Sequence, residues 1–180
     1  MKNYGVSDEE LLGVWYLTWV SEKILIGCAH KFIREKVLAE YQIIEKIIDA
    51  DNFLRLREIS GLSPRPREAA EKALPNSLYC VQVLFDNKPV GMGRVVGDGA
   101  LNFDIVDIAV DPEHQGRGLG RKIMESVMTY IKGAAVQGSY VCLMADVPEL
   151  YEKFGFTLSR PQSEGMVWTG IADEKGTIME

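Results

Sequence analysis

Three glycines and two arginines crowd into the stretch Gln115-Gly116-Arg117-Gly118-Leu119-Gly120-Arg121, between the apolar run FDIVDIAV and the helix-like run KIMESVMTYIK. A helix N-terminus leaves backbone N–H groups without intrahelical partners and carries partial positive charge. Glycines ahead of it let an anion approach the backbone, because no Cβ stands in the way. Arg117 and Arg121 would add charge-assisted hydrogen bonds. The chemistry this stretch suits is the holding of a phosphate chain. Its spacing is not the GxGxxG of dinucleotide-binding folds, and no Gly-Lys-Ser/Thr ending makes it a triphosphate loop.

Carboxylates supply the second set of candidates. Asp104 and Asp107 both lie in LNFDIVDIAV, a strand-like run. Acidic residues are disfavoured there by propensity. Each therefore invites a role in binding or proton transfer. Asp146 follows the next strand-like run and could cap a helix beginning at Pro148. Arg65 and Arg67 in SPRPRE could hold an anionic group or lie on a solvated loop. His114 is expected at the surface without a partner.

The elements that must position these residues follow from periodicity and punctuation. YQIIEKI at 41–47 alternates like a strand. A helix is expected over 50–60, ended by Gly61, and a short one from about Pro66 to Pro75. LYCVQVLF, PVGMGRVVGD and LNFDIVDIAV read as three consecutive strands, the first two joined through Asp86-Asn87. A helix is expected over 117–132, then the strand YVCLMADV, the short helix PELYEKF, and one or two strands around FTLSR and GMVWTG. Met166 and Trp168 in the last of these are expected to complete the core. Helices on both faces of one mixed sheet are the natural packing, so the class is α/β.

Ahead of this core, Ser7-Asp-Glu-Glu10 is a capping box that opens a helix near Asp8. Apolar residues then recur through Val37, with Trp15 and Trp19 one turn apart. The chain thus divides into an N-terminal helical extension, 1–40, and a domain over 41–180. LLGVWYLTWV and LIGC resemble parts of an export signal, but Asp8, Glu9 and Glu10 precede them and Glu22 and Lys23 interrupt them. The same charges oppose a membrane span.

With 180 residues, 47% hydrophobic and 26% charged, the chain can bury a sizeable core. Its formal net charge of −6 argues against nucleic acid as a partner and is compatible with a cationic substrate. Cys28, Cys80 and Cys142 are isolated and form no CxxC pair. They build no metal site with the two histidines at any familiar spacing. Cys80 and Cys142, in apolar strand-like runs, are expected as buried thiols, and the setting as reducing and cytoplasmic.

DIAVDPEHQGRGLGRKIMESV, followed by ADVPELYEKFGF, resembles the GCN5-related N-acetyltransferase (GNAT) superfamily over roughly 41–168. Gln115 to Gly120 match its Q/R-x-x-G-x-G/A signature, and VDIAV and YEKFGF are similar to segments of glucosamine-6-phosphate N-acetyltransferases. The resemblance implies the GNAT fold: a mixed, mostly antiparallel sheet with a splayed parallel strand pair and helices on both faces. It implies acetyl-CoA as acyl donor, its pantetheine arm on the backbone of Ile108, Ala109 and Val110. The pyrophosphate would lie in the loop Gln115, Gly116, Arg117, Gly118, Leu119, Gly120, with Arg121. Tyr151 would be the acid for the leaving thiolate and Asp104 the leading base, with Asp107 its competitor. The expected activity is acetyl transfer to the primary amine of a small molecule, an amino sugar being one candidate. The extension could cover the acceptor site or mediate a homodimer. The competing expectation is a non-catalytic acyl-CoA-binding module that engages a protein through its N-terminal helices and has no use for Tyr151.

Overall fold

The computed structural model describes residues 41–166. The expected extension over 1–40, Cys28, and the final strand with Trp168 lie outside them. Five strands form one sheet in the order β1-β2-β3-β4-β5: β1 is Gln42–Glu45, β2 Tyr79–Phe85, β3 Lys88–Gly97, β4 Asn102–Val110 and β5 Tyr140–Leu143. The first four pair antiparallel, and β4 pairs parallel with β5. Helices α1, Ala50–Ser60, and α2, Arg67–Ala73, precede β2. Helix α3, Leu119–Ala134, connects the parallel pair, and α4, Pro148–Glu152, follows β5.

Local chemistry accounts for the boundaries. Asp49 accepts the Asn52 amide at 2.9 Å to start α1, a side-chain cap for an otherwise unpaired donor. Gly61, at φ 81°, ends the helix in the left-handed conformation that glycine adopts without strain. Asp86 and Asn87 both take positive φ, 49° and 61°, the two-residue turn that matches strand twist. Helix α3 buries Leu119, Ile123, Met124, Val127 and Ile131, a single stripe at helical spacing. That stripe packs on Val81, Val83, Val95, Phe103 and Ile105. On the other sheet face, Phe53 and Leu56 of α1 and Ala70 of α2 pack on Cys80, Met92 and Ala109.

Strand β3 meets α3 through bare backbone. A Cβ added at Gly91 would lie 3.1 Å from Ile123 Cδ1, and one at Gly93 only 2.5 Å from Ile123 Cγ2. The glycines let the helix seat directly on the strand.

Some expectations need correction. The strand expected at FTLSR does not form: Leu158 is 74% exposed and the chain turns at 160–162. A strand needs a partner edge, and β5 is only four residues long. Met166 is 94% exposed rather than part of the core. Cys80 is buried, but Cys142 is half-buried. Among the described residues, no helix is long and apolar enough to cross a membrane. No group of three or more His, Cys, Asp or Glu there could hold a metal ion.

Candidate active site

The site begins where the parallel pair ends. Asn102 to Ile105 of β4 pair with Tyr140 to Leu143 of β5, and β4 then runs on to Val110 with β3 on one edge and no β5 residue on the other. On the β3 side, the Asp111 amide donates to the Val90 carbonyl at 2.8 Å. Backbone groups alternate between the two edges of a strand, so Ala109 also faces β3, while Ile108 and Val110 face the gap. This corrects the expected trio: Ile108 and Val110 can offer backbone bonds to a ligand, and Ala109 cannot. The Val110 carbonyl already accepts Gln115 Nε2 at 3.0 Å, which ties the glycine loop to the strand.

A bulge sets the carboxylates. Met92 pairs with Ala109 but Arg94 with Val106, so Gly93 faces two residues, Asp107 and Ile108. Asp107 takes φ 57°, a left-handed conformation that aspartate tolerates better than most residues. Three positions apart on a regular strand, Asp104 and Asp107 would point to opposite faces. The bulge brings both to the face covered by α1 and α2.

Their surroundings differ. Asp107 is buried between two guanidiniums: Arg57 Nη1 donates to its Oδ1, and Arg94 Nε to its Oδ2 at 2.7 Å. Arg57 also donates to the Ser63 carbonyl through Nε and Nη2, and Arg94 Nη1 to the Ser77 hydroxyl. With both oxygens engaged, Asp107 is poorly placed to be a base. Asp104 is half-buried, and among the described residues its one side-chain neighbour within hydrogen-bond reach is the Cys142 thiol, Sγ at 3.7 Å. Burial pushes the Asp104 carboxyl up, the thiol opposes this, and the Asp107 charge adds to it, because each of these favours or disfavours the ionised form. Burial and the Asp104 charge push the Cys142 thiol up as well.

The glycine loop leads directly into α3. Gly116 and Gly118 take φ 73° and 84°. Gly118 caps α3 without a side chain, and among the described residues no acceptor meets the amides of Gly116 to Arg121. Leu119 is buried in the core, so it anchors the loop and offers only its backbone. The arginines are more occupied than expected. Arg117 donates to the Tyr41 hydroxyl at 2.6 Å and to the Glu113 carbonyl at 3.3 Å, and Arg121 pairs with Glu125 at 3.1 Å. His114, expected without a partner, shares a 2.9 Å hydrogen bond with the same Tyr41 hydroxyl and meets that ring edge-on. Tyr41 and His114 are thus supports of the loop that pattern reading missed. They lie 73 residues apart.

Tyr151 of α4 is a buried ring packed edge-on against Phe156. Burial, and then the Asp146 charge, raise its hydroxyl above the ordinary tyrosine value. Asp146 does not cap the helix: the capping position is Val147, with no side-chain bond. Arg67 is taken by Asp51 and Glu71 on the surface. Arg65 instead lines a cavity of about 200 Å³ with Phe53, Arg94, Val106 and Asp107.

An open strand edge beside a cradle of unpaired amides suits an extended ligand with a polar, strand-like arm and a phosphate group, which is the shape of coenzyme A. Comparison with known proteins agrees. The model of the acetyltransferase (GNAT) domain matches residues 76–158. An uncharacterised ycf52-like N-acetyltransferase of Prochlorococcus marinus is 32% identical over 130 residues, 68% of this chain and 71% of that protein. A crystal structure from meticillin-resistant Staphylococcus aureus, described as a probable acetyltransferase, is 45% identical. It covers 71% of this chain and 98% of its own, with a TM-score of 0.68. A GNAT-family acetyltransferase of Brucella melitensis, solved in complex with acetyl-CoA, shares the fold at 19% identity and a TM-score of 0.51, covering 66% of this chain and 83% of its own. Sheet, loop and relatives converge: the chain belongs to the GNAT superfamily and is an N-acetyltransferase that uses acetyl-CoA.

Proposed function

We propose that the protein acetylates the primary amine of a small molecule by direct attack on the thioester. The observation that carries this reading is the pairing of open backbone on β4 with the amide cradle at the α3 N-terminus. Ile108 and Val110 would bond the pantetheine arm as an added strand does. The amides of Gly116 to Arg121 would hold the pyrophosphate, with Arg117 and Arg121 turning from their present partners. When bound, acetyl-CoA supplies an activated acyl group and a thiolate leaving group.

The chain's own residues would then move protons. Asp104, with a raised pKa and no cation paired to it among the described residues, suits removal of a proton from the acceptor ammonium, directly or through water. Tyr151 suits the acid for the departing thiolate. Its raised pKa keeps it protonated at neutral pH, and no protein acceptor among the described residues engages its hydroxyl.

Calorimetric titration with acetyl-CoA, followed by thiol release across an amine panel, tests the reading. Binding with amine-dependent thiol release is the expected result. Binding without release from any amine would favour the non-catalytic module, and no binding would overturn the site.

A further inference from the structure

The cavity beneath α1 and α2 has a charge pattern unlike the rest of this acidic chain. Arg57 and Arg94 bracket one carboxylate, Asp107, and a third guanidinium, Arg65, lines the same cavity close enough for Arg57 to feel its charge. Arg57 feels the excess: burial depresses its pKa first, Asp107 raises it, and the charges of Arg65 and Arg94 lower it again. Arg94 is 8% exposed and lines the cavity. Its Nε and Nη1 are bonded to Asp107 and Ser77, while Nη2 has no acceptor among the described residues. Arg65 also lines the cavity and makes no ion pair among the described residues. A cavity with surplus guanidinium charge and unfilled donors, Arg94 buried in its wall and Arg65 exposed at its edge, calls for an anion.

Its position relative to Asp104 decides what that anion belongs to. Asp104 pairs across the ladder with Val96, and Val96 and Val106 both line the cavity. Asp104 and Val106 are two residues apart on one strand face, about 7 Å along the strand. The carboxylate assigned to deprotonation and the guanidinium pocket are therefore neighbours on one surface. We infer that the acceptor is zwitterionic: its ammonium end goes to Asp104, and a carboxylate or phosphate on the same molecule goes to Arg65 and Arg94 in this cavity. The inference rests on the acetyltransferase reading of the site and adds the class of acceptor. It also gives the Asp107 bulge a purpose, because Asp107 holds Arg94 in place while leaving one of its donors open.

The test compares amines that differ only in the anionic group: β-alanine against propylamine, and phosphoethanolamine against ethanolamine. One member of a charged pair should show kcat/KM about tenfold or more above its neutral twin, the size expected of a charge-assisted bond. Which pair shows it tells carboxylate from phosphate. Arg65→Ala should erase most of that preference through KM for the amine while leaving KM for acetyl-CoA unchanged, and Arg65→Lys should restore part of it. Equal use of charged and neutral twins, unaffected by Arg65→Ala, would overturn the inference and leave the acetyltransferase reading intact. A second readout needs no turnover: thermal stabilisation by propionate or inorganic phosphate, against chloride at equal ionic strength, in wild type and Arg65→Ala. Stabilisation that depends on Arg65 without turnover of any amine would uphold the anion pocket and count against the transfer chemistry. No such stabilisation and no charge preference would sink the pocket.

Discussion

Asp104 and Cys142 are register partners across the parallel strands β4 and β5, with the thiol sulfur 3.7 Å from the carboxylate. The pairing keeps a half-buried carboxylate beside a weak donor instead of a cation, and so leaves it free to accept a proton. Asp104→Asn should lower kcat about 100-fold, within the range for loss of a positioned base. In the wild type, the acid limb of the kcat/KM profile should fall above the ordinary aspartate value of 3.8 and disappear in the variant.

The same residue makes a stability prediction of definite sign. Burial raises the folded-state pKa, so the folded protein binds this proton more tightly than the unfolded chain does. Stability gained from that proton is complete below the unfolded value and is lost as pH rises through the folded one. Asp104→Asn should therefore melt higher than wild type at neutral pH, with the difference vanishing in acid. Thermal melts at the two pH values check it.

Gly118→Val should weaken acetyl-CoA binding about tenfold or more. Position 118 has φ 84°. A β-branched residue there is strained, by an amount on the order of 1–3 kcal/mol, and its side chain would crowd the open amides. Calorimetry on the folded variant gives the answer, and unchanged affinity would remove the loop from the cofactor site.

Tyr151→Phe should reduce kcat by about 100-fold and leave the affinity for acetyl-CoA near that of wild type. The raised pKa of this hydroxyl predicts that activity in the wild type persists to high pH before the phenol ionises. A variant with wild-type turnover would exclude Tyr151 as the acid.

Asp107→Asn removes the charge that two buried guanidiniums share. It should cost about 3 kcal/mol of stability in urea denaturation, as broken buried pairs do. If the protein folds, the acid limb assigned to Asp104 should persist, because Asp107 is assigned no proton transfer.

Local signals survived translation into structure best. The left-handed stop at Gly61, the Asp86-Asn87 turn and the glycine loop are each decided by a few adjacent residues. The α3 stripe is decided by one helix. What pattern could not deliver are side-chain meetings across long separations. Arg57 reaches Asp107 over 50 residues, and Arg117 reaches Tyr41 over 76. The bulge is the telling case. Strict alternation puts Asp104 and Asp107 on opposite faces, and only the one-residue slip between β3 and β4 unites them. An Asp in a strand hinted at something unusual there, without saying which residue would yield its regular geometry.

The contact between Gly91, Gly93 and Ile123 makes the height of α3 above the sheet a property of β3. A methyl group at position 93 would lever the whole helix outward, and the amides of Gly116 to Arg121 would rise with its first turn. If the cradle holds the cofactor as proposed, two residues of β3 would thus help to gauge acetyl-CoA affinity. A spacer set in one strand would then fix how deep the donor sits, in the proposed site, relative to Asp104 in the next.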